Sequence, residues 1–406
     1  MGRLKLFYIA AILTIITVHA QSQTRKLTIS YEFSDKTFNI ALDSSVLVPQ
    51  PDSLSTEYIG SCYEKLVTEA AIAPIIDTLL NYKEANRLND WLYYQLVRRA
   101  AQAISPKQNS YERYTFYKWF LMVKSGFDAR LTISDKRLVF FVYNNENISD
   151  IPSINVGGRK YMCLNYHDYS HTDFTRVSSD YMIGLPTAKG AFSYKVTYMP
   201  NFKPSAYIDK RLSFQYGHKS YHFDIKVNQE LEAIFKNYPG VDFEYYFNIP
   251  LTKETYSSLI PMLKSNVKGM SQKKGVDYLM KFTRHALLYE DDTRQFGKEK
   301  RLSPEQTLFS SASDCDDRVA LFFYLVKEIY DLPMIAMLYP THITMAVQFD
   351  KPQGQPVIYK DKLYTVCEPT PQRKELKLGK LAAKYRNTPF QVVYAYEPSN
   401  KKAGAM

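Results

Sequence analysis

The chain has 406 residues, of which 45% are hydrophobic and 23% charged, so it is long enough for two or three domains with a large buried core. Its net charge of +11 comes from lysines and arginines that are scattered along the chain, and no nucleic-acid-binding motif accompanies them. We therefore expect no nucleic-acid partner. The four cysteines (Cys62, Cys163, Cys315 and Cys367) are too few for a disulfide scaffold, although one or two disulfides or a reactive free thiol fit the count.

Residues 1–20 have the pattern of a signal peptide. Arg3 and Lys5 precede an apolar run over 6–18, and Val18-His19-Ala20 offers small residues for cleavage. The apolar run is shorter than the roughly 20 residues that a bilayer requires, and no later segment is long and apolar enough. We expect an exported bacterial protein, periplasmic or extracellular, with no integral membrane segment after signal removal. The oligomeric state is left open.

Residues 21–165 form the first predicted unit, which contains both helices and strands. The stretch 26–48 alternates as strands do, and apolar residues recur at helical spacing over 57–104. A further helix is predicted over 111–124, followed by strands over 138–143 and 160–164. This mixture predicts an α+β fold.

Residues 166–250 form the second predicted unit, a β-rich linker module. Phe192, Tyr194, Val196 and Tyr198 alternate with polar residues, and similar segments continue to Phe247. Alternation with a period of two is typical of half-buried strands, so we expect several strands between 191 and 250.

Residues 251–406 form the third predicted unit, in which the helical pattern returns. A helix is predicted over 276–288, and Ser303 followed by Pro304 begins a short one. Another helix is predicted over 315–327, with Ser313 as N-cap and Asp316 completing a capping box. Two strands follow, over 342–347 and 363–368.

The first and third units share an order of elements that suggests a degenerate tandem repeat. Helix 111–124 parallels helix 315–327, and 52 residues separate Tyr111 from Cys163 as they separate Cys315 from Cys367. Tyr111 takes the place of Cys315, Leu164 takes that of Glu368, and no histidine lies between Tyr111 and Cys163. We expect the first copy to be structural, and Cys163 and Cys367 to serve packing.

Cys315, His342 and Glu368 are the candidate catalytic residues. Cys315 lies in a first helical turn, where the helix dipole favours a thiolate, although acidic neighbours oppose this effect. His342 begins an apolar strand, and Glu368 would share its face if the two strands are neighbours, with Cys367 pointing the other way. A carboxylate there can orient a histidine that accepts the thiol proton.

The C-terminal motifs resemble those of the transglutaminase-like superfamily, a group of papain-like cysteine enzymes whose bacterial members are mostly considered peptidases or amidases. The resemblance covers about 270–370 closely and 85–165 as a decayed copy. It implies tandem papain-like units, with Cys315 as nucleophile, His342 as general base and Glu368 as orienting acid. The family has Asp at the position of Glu368, so this chain departs from its pattern. The segments that carry the resemblance are Pro304-Glu305, Ser313-Asp314-Cys315-Asp316-Asp317, His342, and Tyr364-Thr365-Val366-Cys367-Glu368-Pro369-Thr370.

The sequence thus predicts an exported thiol enzyme that transfers an acyl group from a peptide or protein substrate, with hydrolysis as the default outcome and crosslinking as the other. The backbone N–H of Cys315 is the expected oxyanion donor, and Gln295 is a second candidate. The alternative is a non-catalytic binding or scaffold protein, which the first copy and the Glu368 departure favour.

No cofactor or metal is expected. The chain has no P-loop and no glycine-rich dinucleotide turn. Two pairs of histidine-containing segments, His167-Asp168 with His171-Asp173 and His218 with His222, lack the usual spacing of metal ligands.

Overall fold

The computed structural model describes residues 26–169, 183–184, 188–290 and 300–398, and these residues form a mixed α+β fold. The predicted signal peptide, Gln295, His171 and Asp173 lie outside these ranges. No helix within them combines the length and the apolarity that crossing a membrane requires. The helices are α1 (Thr56–Thr68), α2 (Ala73–Ala85), α3 (Asp90–Ile104), α4 (Tyr111–Lys124), α5 (Glu230–Phe235), α6 (Phe243–Phe247), α7 (Lys253–Val267), α8 (Gln272–His285), α9 (Pro304–Phe309) and α10 (Cys315–Tyr330). The strands are β1 (Lys26–Phe33), β2 (Lys36–Asp43), β3 (Ala129–Ser134), β4 (Arg137–Tyr143), β5 (Ser153–Val156), β6 (Arg159–Cys163), β7 (Tyr207–Tyr216), β8 (Lys219–Asn228), β9 (Leu288–Tyr289), β10 (Ala312–Ser313), β11 (Met334–Tyr339), β12 (His342–Gln348), β13 (Val357–Tyr359), β14 (Lys362–Cys367) and β15 (Gln391–Tyr396).

The first large sheet is antiparallel, with the strand order β3-β4-β6-β5. Helix α4 packs on β3 and β4, and its bounds agree with the prediction over 111–124. The hydroxyl of Ser110 accepts the N–H of Arg113, which caps the first turn. The residues of α4 from Tyr114 to Val123 are all buried, so this helix lies inside the core, and its packing on the sheet was not predicted from the sequence.

The second large sheet repeats this order. Its strands run β13-β14-β12-β11-β15, so that β11 to β14 occupy the same relative places as β3 to β6, with β15 added at one edge. Helix α10 packs on β12 of this sheet. Two helix-plus-sheet units with matching strand order are therefore present, as the order of elements in the sequence indicated.

The equivalence of Cys163 and Cys367 is a prediction that the structure corrects. Cys163 pairs with Phe141 and Cys367 pairs with Met345 in matching places of the two sheets. However, Cys367 and Met345 belong to the main core that includes α10, whereas Cys163 and Phe141 belong to a separate cluster on the other face. A shift of one residue along a strand exchanges its two faces, so equal spacing in sequence does not make the two cysteines equivalent.

The predicted strands between 191 and 203 are also wrong. Phe192, Tyr194 and Val196 are buried, but no strand forms there. Their rings contact helix α3, with Tyr194 5.7 Å from Trp91 and Phe192 6.2 Å from Tyr94, centroid to centroid. The alternation arises because one side of this segment packs on a helix, which buries every second residue without strand pairing.

Within 166–250 the named strands of the described residues are those of the hairpin β7–β8, which is followed by the short helices α5 and α6. This hairpin packs on α7, α8 and α9. The buried carboxylate of Glu305 on α9 links the hairpin to α7 and α9, because it accepts the N–H groups of Asn228 at the end of β8 (2.9 Å) and of Thr252 before α7 (2.6 Å). The main core runs through both large sheets and this hairpin.

Candidate active site

Helix α10 presents Cys315 at its first position. Asp314 is the N-cap, and its carboxylate accepts the N–H groups of Asp316 (3.0 Å) and Asp317 (3.2 Å). The side chain of Asp317 reaches back to the N–H of Asp314, which completes a capping box. The prediction of Ser313 as the N-cap is therefore wrong by one residue, because Ser313 lies in the short strand β10, which pairs with β9.

This cap leaves the backbone N–H of Cys315 as a free donor. The N–H groups of Asp316 and Asp317 are used by the cap, and that of Arg318 donates to the carbonyl of Asp314. Within the described ranges the Cys315 N–H has no acceptor. A free N–H at a helix N-terminus, beside a nucleophile, is suited to stabilise a developing oxyanion.

The thiol of Cys315 lies against the start of strand β12. The backbone N–H of Ile343, the residue after His342, lies close enough to Sγ to affect the thiol pKa, and the thiol donates to Oδ1 of Asp316 at 3.5 Å. Burial raises the pKa of Cys315, and the carboxylates of Asp316 and Asp314 raise it further, while the Ile343 N–H lowers it. The predicted opposition of acidic neighbours to the thiolate is thus confirmed for these two residues.

His342 and Glu368 are in direct contact. Strands β12 and β14 are antiparallel neighbours, with Met345 opposite Cys367, which puts His342 and Glu368 on the same face as the sequence predicted. Nε2 of His342 lies 2.7 Å from Oε2 of Glu368, and both side chains are nearly fully buried. A glutamate is therefore long enough to reach this histidine. The thiol of Cys315 is hydrogen-bonded to Asp316 and not to the imidazole.

Two neighbours fix the carboxyl group and backbone of Glu368. Its Oε1 accepts the N–H of Thr370 at 3.0 Å, within the turn that follows β14. Its backbone carbonyl accepts the buried guanidinium of Arg284 on α8, which also donates to the carbonyl of Leu376 at 2.9 Å. These contacts from Thr370 and Arg284 fix the position of Glu368, so that its Oε2 points toward His342.

Tyr385 is a site residue that sequence reasoning missed. Its ring stacks on the imidazole of His342, with centroids 4.9 Å apart and planes within 10°. Tyr385 is buried in a second cluster that also contains Tyr339, the register partner of His342. The segment around Tyr385 shows no periodicity and no motif, so no sequence signal identified it.

Arg318 is a second residue that sequence reasoning missed. It is buried on α10, and its guanidinium donates to four backbone carbonyls near the end of α8, which joins the two helices beside the thiol. An arginine within the apolar stripe of this helix was the available signal. The carbonyls belong to Thr283 (2.8 Å), Arg284 (3.0 Å), Leu287 (3.0 Å) and Leu288 (2.7 Å).

The other candidate groups do not assemble into a site. All four cysteines are free thiols, and Cys62 is buried on α1 in the main core. Over the described ranges, the group of histidine, cysteine or acidic side chains with metal-ligand proximity is Asp314, Cys315 and Asp316. The first carboxylate caps α10 and the second lies 3.5 Å from the guanidinium of Arg301, so these groups already have partners.

A cavity of about 270 Å³ is lined by Tyr339 of β11 and by Tyr385 from the turn between β14 and β15. Lys380, Arg386 and Phe390 also line it, but Cys315, His342 and Glu368 do not. This cavity therefore does not define where a substrate would meet the thiol.

No protein-family model matches the chain, and no curated protein and no solved structure is significantly similar to it. The geometry of the site is therefore the basis for the function proposed below.

Proposed function

We propose that the protein is an exported thiol enzyme of the transglutaminase-like, papain-like class, which hydrolyses amide bonds in peptides or proteins through Cys315. The observation that carries the proposal is the buried 2.7 Å contact between His342 and Glu368, next to a cysteine at the start of α10. Burying such a pair is costly unless its geometry is good, and here Thr370 satisfies the second carboxylate oxygen. Arg3, Lys5 and the apolar run after them support export.

The roles follow from which nitrogen of His342 is engaged. Nε2 faces the carboxylate of Glu368, so an ionised Glu368 favours the tautomer with the proton on Nε2 and leaves Nδ1 as the base. Nδ1 removes the Cys315 proton while Sγ attacks the amide carbon. The imidazolium then returns this proton to the leaving nitrogen as the C–N bond breaks. Water, deprotonated by the same nitrogen, cleaves the thioester and releases the acid and the free thiol.

The hydrogen bond from the thiol to Asp316 does not oppose these roles. Catalytic hydrogen bonds are often long or absent without substrate and form in the Michaelis complex. The Cys315 N–H is free to receive the carbonyl oxygen as its charge develops. Substrate binding would therefore have to draw the thiol away from Asp316 toward the imidazole.

The second candidate function is a non-catalytic binding or scaffold role. The observation that favours it is the Cys315 environment, in which burial and two carboxylates raise the thiol pKa and oppose the thiolate. In that case both helix-plus-sheet units would be non-catalytic, including the first, which has Tyr111 at the start of its helix.

Alkylation by iodoacetamide at pH 7.5, followed by peptide mass spectrometry, separates the two functions. If the protein is an enzyme, Cys315 should be alkylated faster than glutathione, and His342→Ala should lower this alkylation rate at least tenfold. The buried Cys62 in the same sample serves as the internal reference for folding. Slow labelling of Cys315 that is unchanged in His342→Ala, with Cys62 protected in both proteins, would contradict the proposed enzymatic function and support the scaffold function.

A further inference from the structure

A second cavity, remote from Cys315 in the chain, lies where α3, α4 and α5 meet. Its volume is about 250 Å³, below the roughly 300–1,000 Å³ of pockets for drug-sized ligands. The size therefore suits a small ligand. The lining side chains come from the end of β1, from α3 and the segment after it, from α4, and from α5 with the residue that follows.

The lining is strongly cationic. Arg98 and Arg99 on α3, Lys107 after it, and Lys236 after α5 contribute four positive charges, whereas Glu230 is the one acidic side chain among the described lining residues. The cavity therefore carries a net charge of +3. Positive charge gathered in a concave site attracts anions and raises their local concentration.

Gln95 gives the cavity a donor with no partner. The residue is 6% exposed, and its Oε1 accepts the guanidinium of Arg98 at 2.8 Å. Its Nε2 is buried and has no hydrogen-bond partner within the described ranges. A buried donor without a hydrogen-bond partner is unfavourable, so such a group in a cavity wall indicates a place for an acceptor.

One wall of the same cavity is apolar. Phe33 and Ile234 are buried there, and Ala233 lies next to Ile234 on α5. An inorganic ion would leave this wall without a partner, whereas a ligand with a short apolar body would cover it.

We infer that this cavity binds a small organic anion. The carboxylate or phosphate head group would accept from Gln95 Nε2 and from the guanidinium of Arg98, with Lys107 at its edge. The apolar body would lie on Phe33 and Ile234. Arginine is well suited to the head group because its planar guanidinium can donate two parallel hydrogen bonds to a carboxylate or a phosphate.

Isothermal titration of the full chain at fixed ionic strength tests the site with benzoate, phenyl phosphate and the neutral benzamide. We expect at least one of the two anions to bind at least tenfold more tightly than benzamide, and the stronger of them identifies the preferred head group. Equal binding of benzamide, or no binding of either anion up to about 10 mM, would overturn the inference.

Variants locate the binding within the molecule. Gln95→Glu keeps the shape of the side chain but puts a negative charge in place of the free donor, so anion binding should fall at least tenfold without a lower Tm. Arg98→Gln should weaken binding about tenfold, because it removes a charge-assisted hydrogen bond.

Two exposed lysines provide the matched control. Lys107→Gln should weaken binding severalfold, whereas Lys264→Gln, on the exposed side of α7, should leave it unchanged. If Gln95→Glu and Arg98→Gln bind as the unmodified protein does, or if Lys264→Gln weakens binding as much as Lys107→Gln, the anions bind elsewhere and the inference is wrong.

Discussion

Nε2 of His342 and Oε2 of Glu368 are 2.7 Å apart, with His342 at the start of β12, Glu368 directly after the neighbouring strand β14, and both side chains nearly fully buried. Because both side chains are nearly fully buried, the carboxylate of Glu368 is a well-defined partner for Nε2 of the imidazole. The tautomer of His342 therefore depends on whether residue 368 accepts or donates a proton at this position.

Glu368→Gln should cause a large loss of Cys315 reactivity with little loss of stability. The glutamine amide can place its N–H₂ against Nε2, which forces the proton onto Nδ1 and removes the nitrogen proposed as the base for Cys315. The comparable change in a serine protease lowers the rate by about 10⁴-fold, so we expect a fall of at least 10²-fold in iodoacetamide labelling.

Glu368→Asp is the matched control for this prediction. Its side chain stays anionic but is shorter by one methylene, so it should retain part of the reactivity. The measurement is the labelling rate of each variant beside its Tm. Full reactivity of Glu368→Gln with an unchanged Tm would show that the carboxylate does not orient His342.

Tyr385→Leu should lower Cys315 reactivity by loosening the imidazole. The phenol ring lies parallel to the imidazole at 4.9 Å, so it fixes the plane of the ring while Glu368 fixes one nitrogen. We expect a loss of about tenfold in labelling and a destabilisation of about 2–4 kcal/mol from the vacated ring volume.

Tyr385→Phe keeps the ring and is the control. Its labelling rate and Tm should match those of the unmodified protein. A further readout separates positioning from stability alone: the pH profile of labelling should change in Tyr385→Leu, since a mobile imidazole assists the thiol less. An unchanged profile and rate in Tyr385→Leu would exclude a positioning role.

Asp316→Asn should increase Cys315 reactivity. The carboxylate of Asp316 is the strongest of the charges that raise the pKa of the thiol, so its removal lowers that pKa and increases the thiolate fraction at a given pH. The labelling profile should therefore move toward lower pH, with a rate at pH 8 that is several times higher.

The exposed Asp77 on α2 provides the control for total charge. Asp77→Asn removes the same charge far along the chain from the thiol and should leave the profile in place. If Asp316→Asn shifted the profile toward higher pH, the carboxylate would be assisting the thiol as a base, contrary to the environment that the structure describes.

Local patterns in the sequence predicted the parts of this site that depend on local structure. The start of α10 and the strands of His342 and Glu368 followed from capping residues and apolar periodicity. Comparing the two halves of the chain indicated that a similar order of elements occurs twice, but it did not predict the order of strands within either sheet. The cap was misplaced by one residue, since the pairing of Ser313 in β10 depends on β9, which is far away in sequence.

Local sequence patterns could not predict contacts between segments that are far apart in sequence. Tyr385 reaches His342 from a segment without periodicity, and the alternation of Phe192 and Tyr194 comes from packing on a helix. Residues of β4 and β12 that match by spacing point to opposite faces of their sheets, because the two strands are offset by one residue. The packing of α4 and α10 determines which face of each sheet is buried in the main core. Spacing alone could not reveal that difference.

Lys118 provides a test of the first helix-plus-sheet unit. This lysine is fully buried on α4, with its Nζ 4.3 Å from the ring centroid of Tyr114 and 5.5 Å from that of Tyr111. Burial lowers the pKa of Lys118 to about 7, although Asp168 acts in the opposite direction. The unfolded chain keeps the ordinary value of 10.5, so between pH 7 and 10.5 it binds more protons than the folded chain.

Stability should therefore rise with pH through this window, because unfolding takes up a proton there. Well below pH 7 both states carry the charge, and the burial penalty is then at its largest, about 4–5 kcal/mol at most for a shift of this size. Lys118→Met removes the penalty, so the variant should be more stable near pH 7 and should lose that part of the pH dependence.

Urea unfolding at intervals from pH 6 to pH 10, on both proteins and on the exposed control Lys264→Met, measures the effect. The difference in free energy of unfolding between Lys118→Met and the unmodified protein should shrink as pH rises, while Lys264→Met should show a small and constant difference. A constant difference for Lys118→Met would mean that the folded protein keeps Lys118 charged over the whole range. In that case the rings of Tyr111 and Tyr114, together with Asp168, would compensate the charge more fully than burial opposes it.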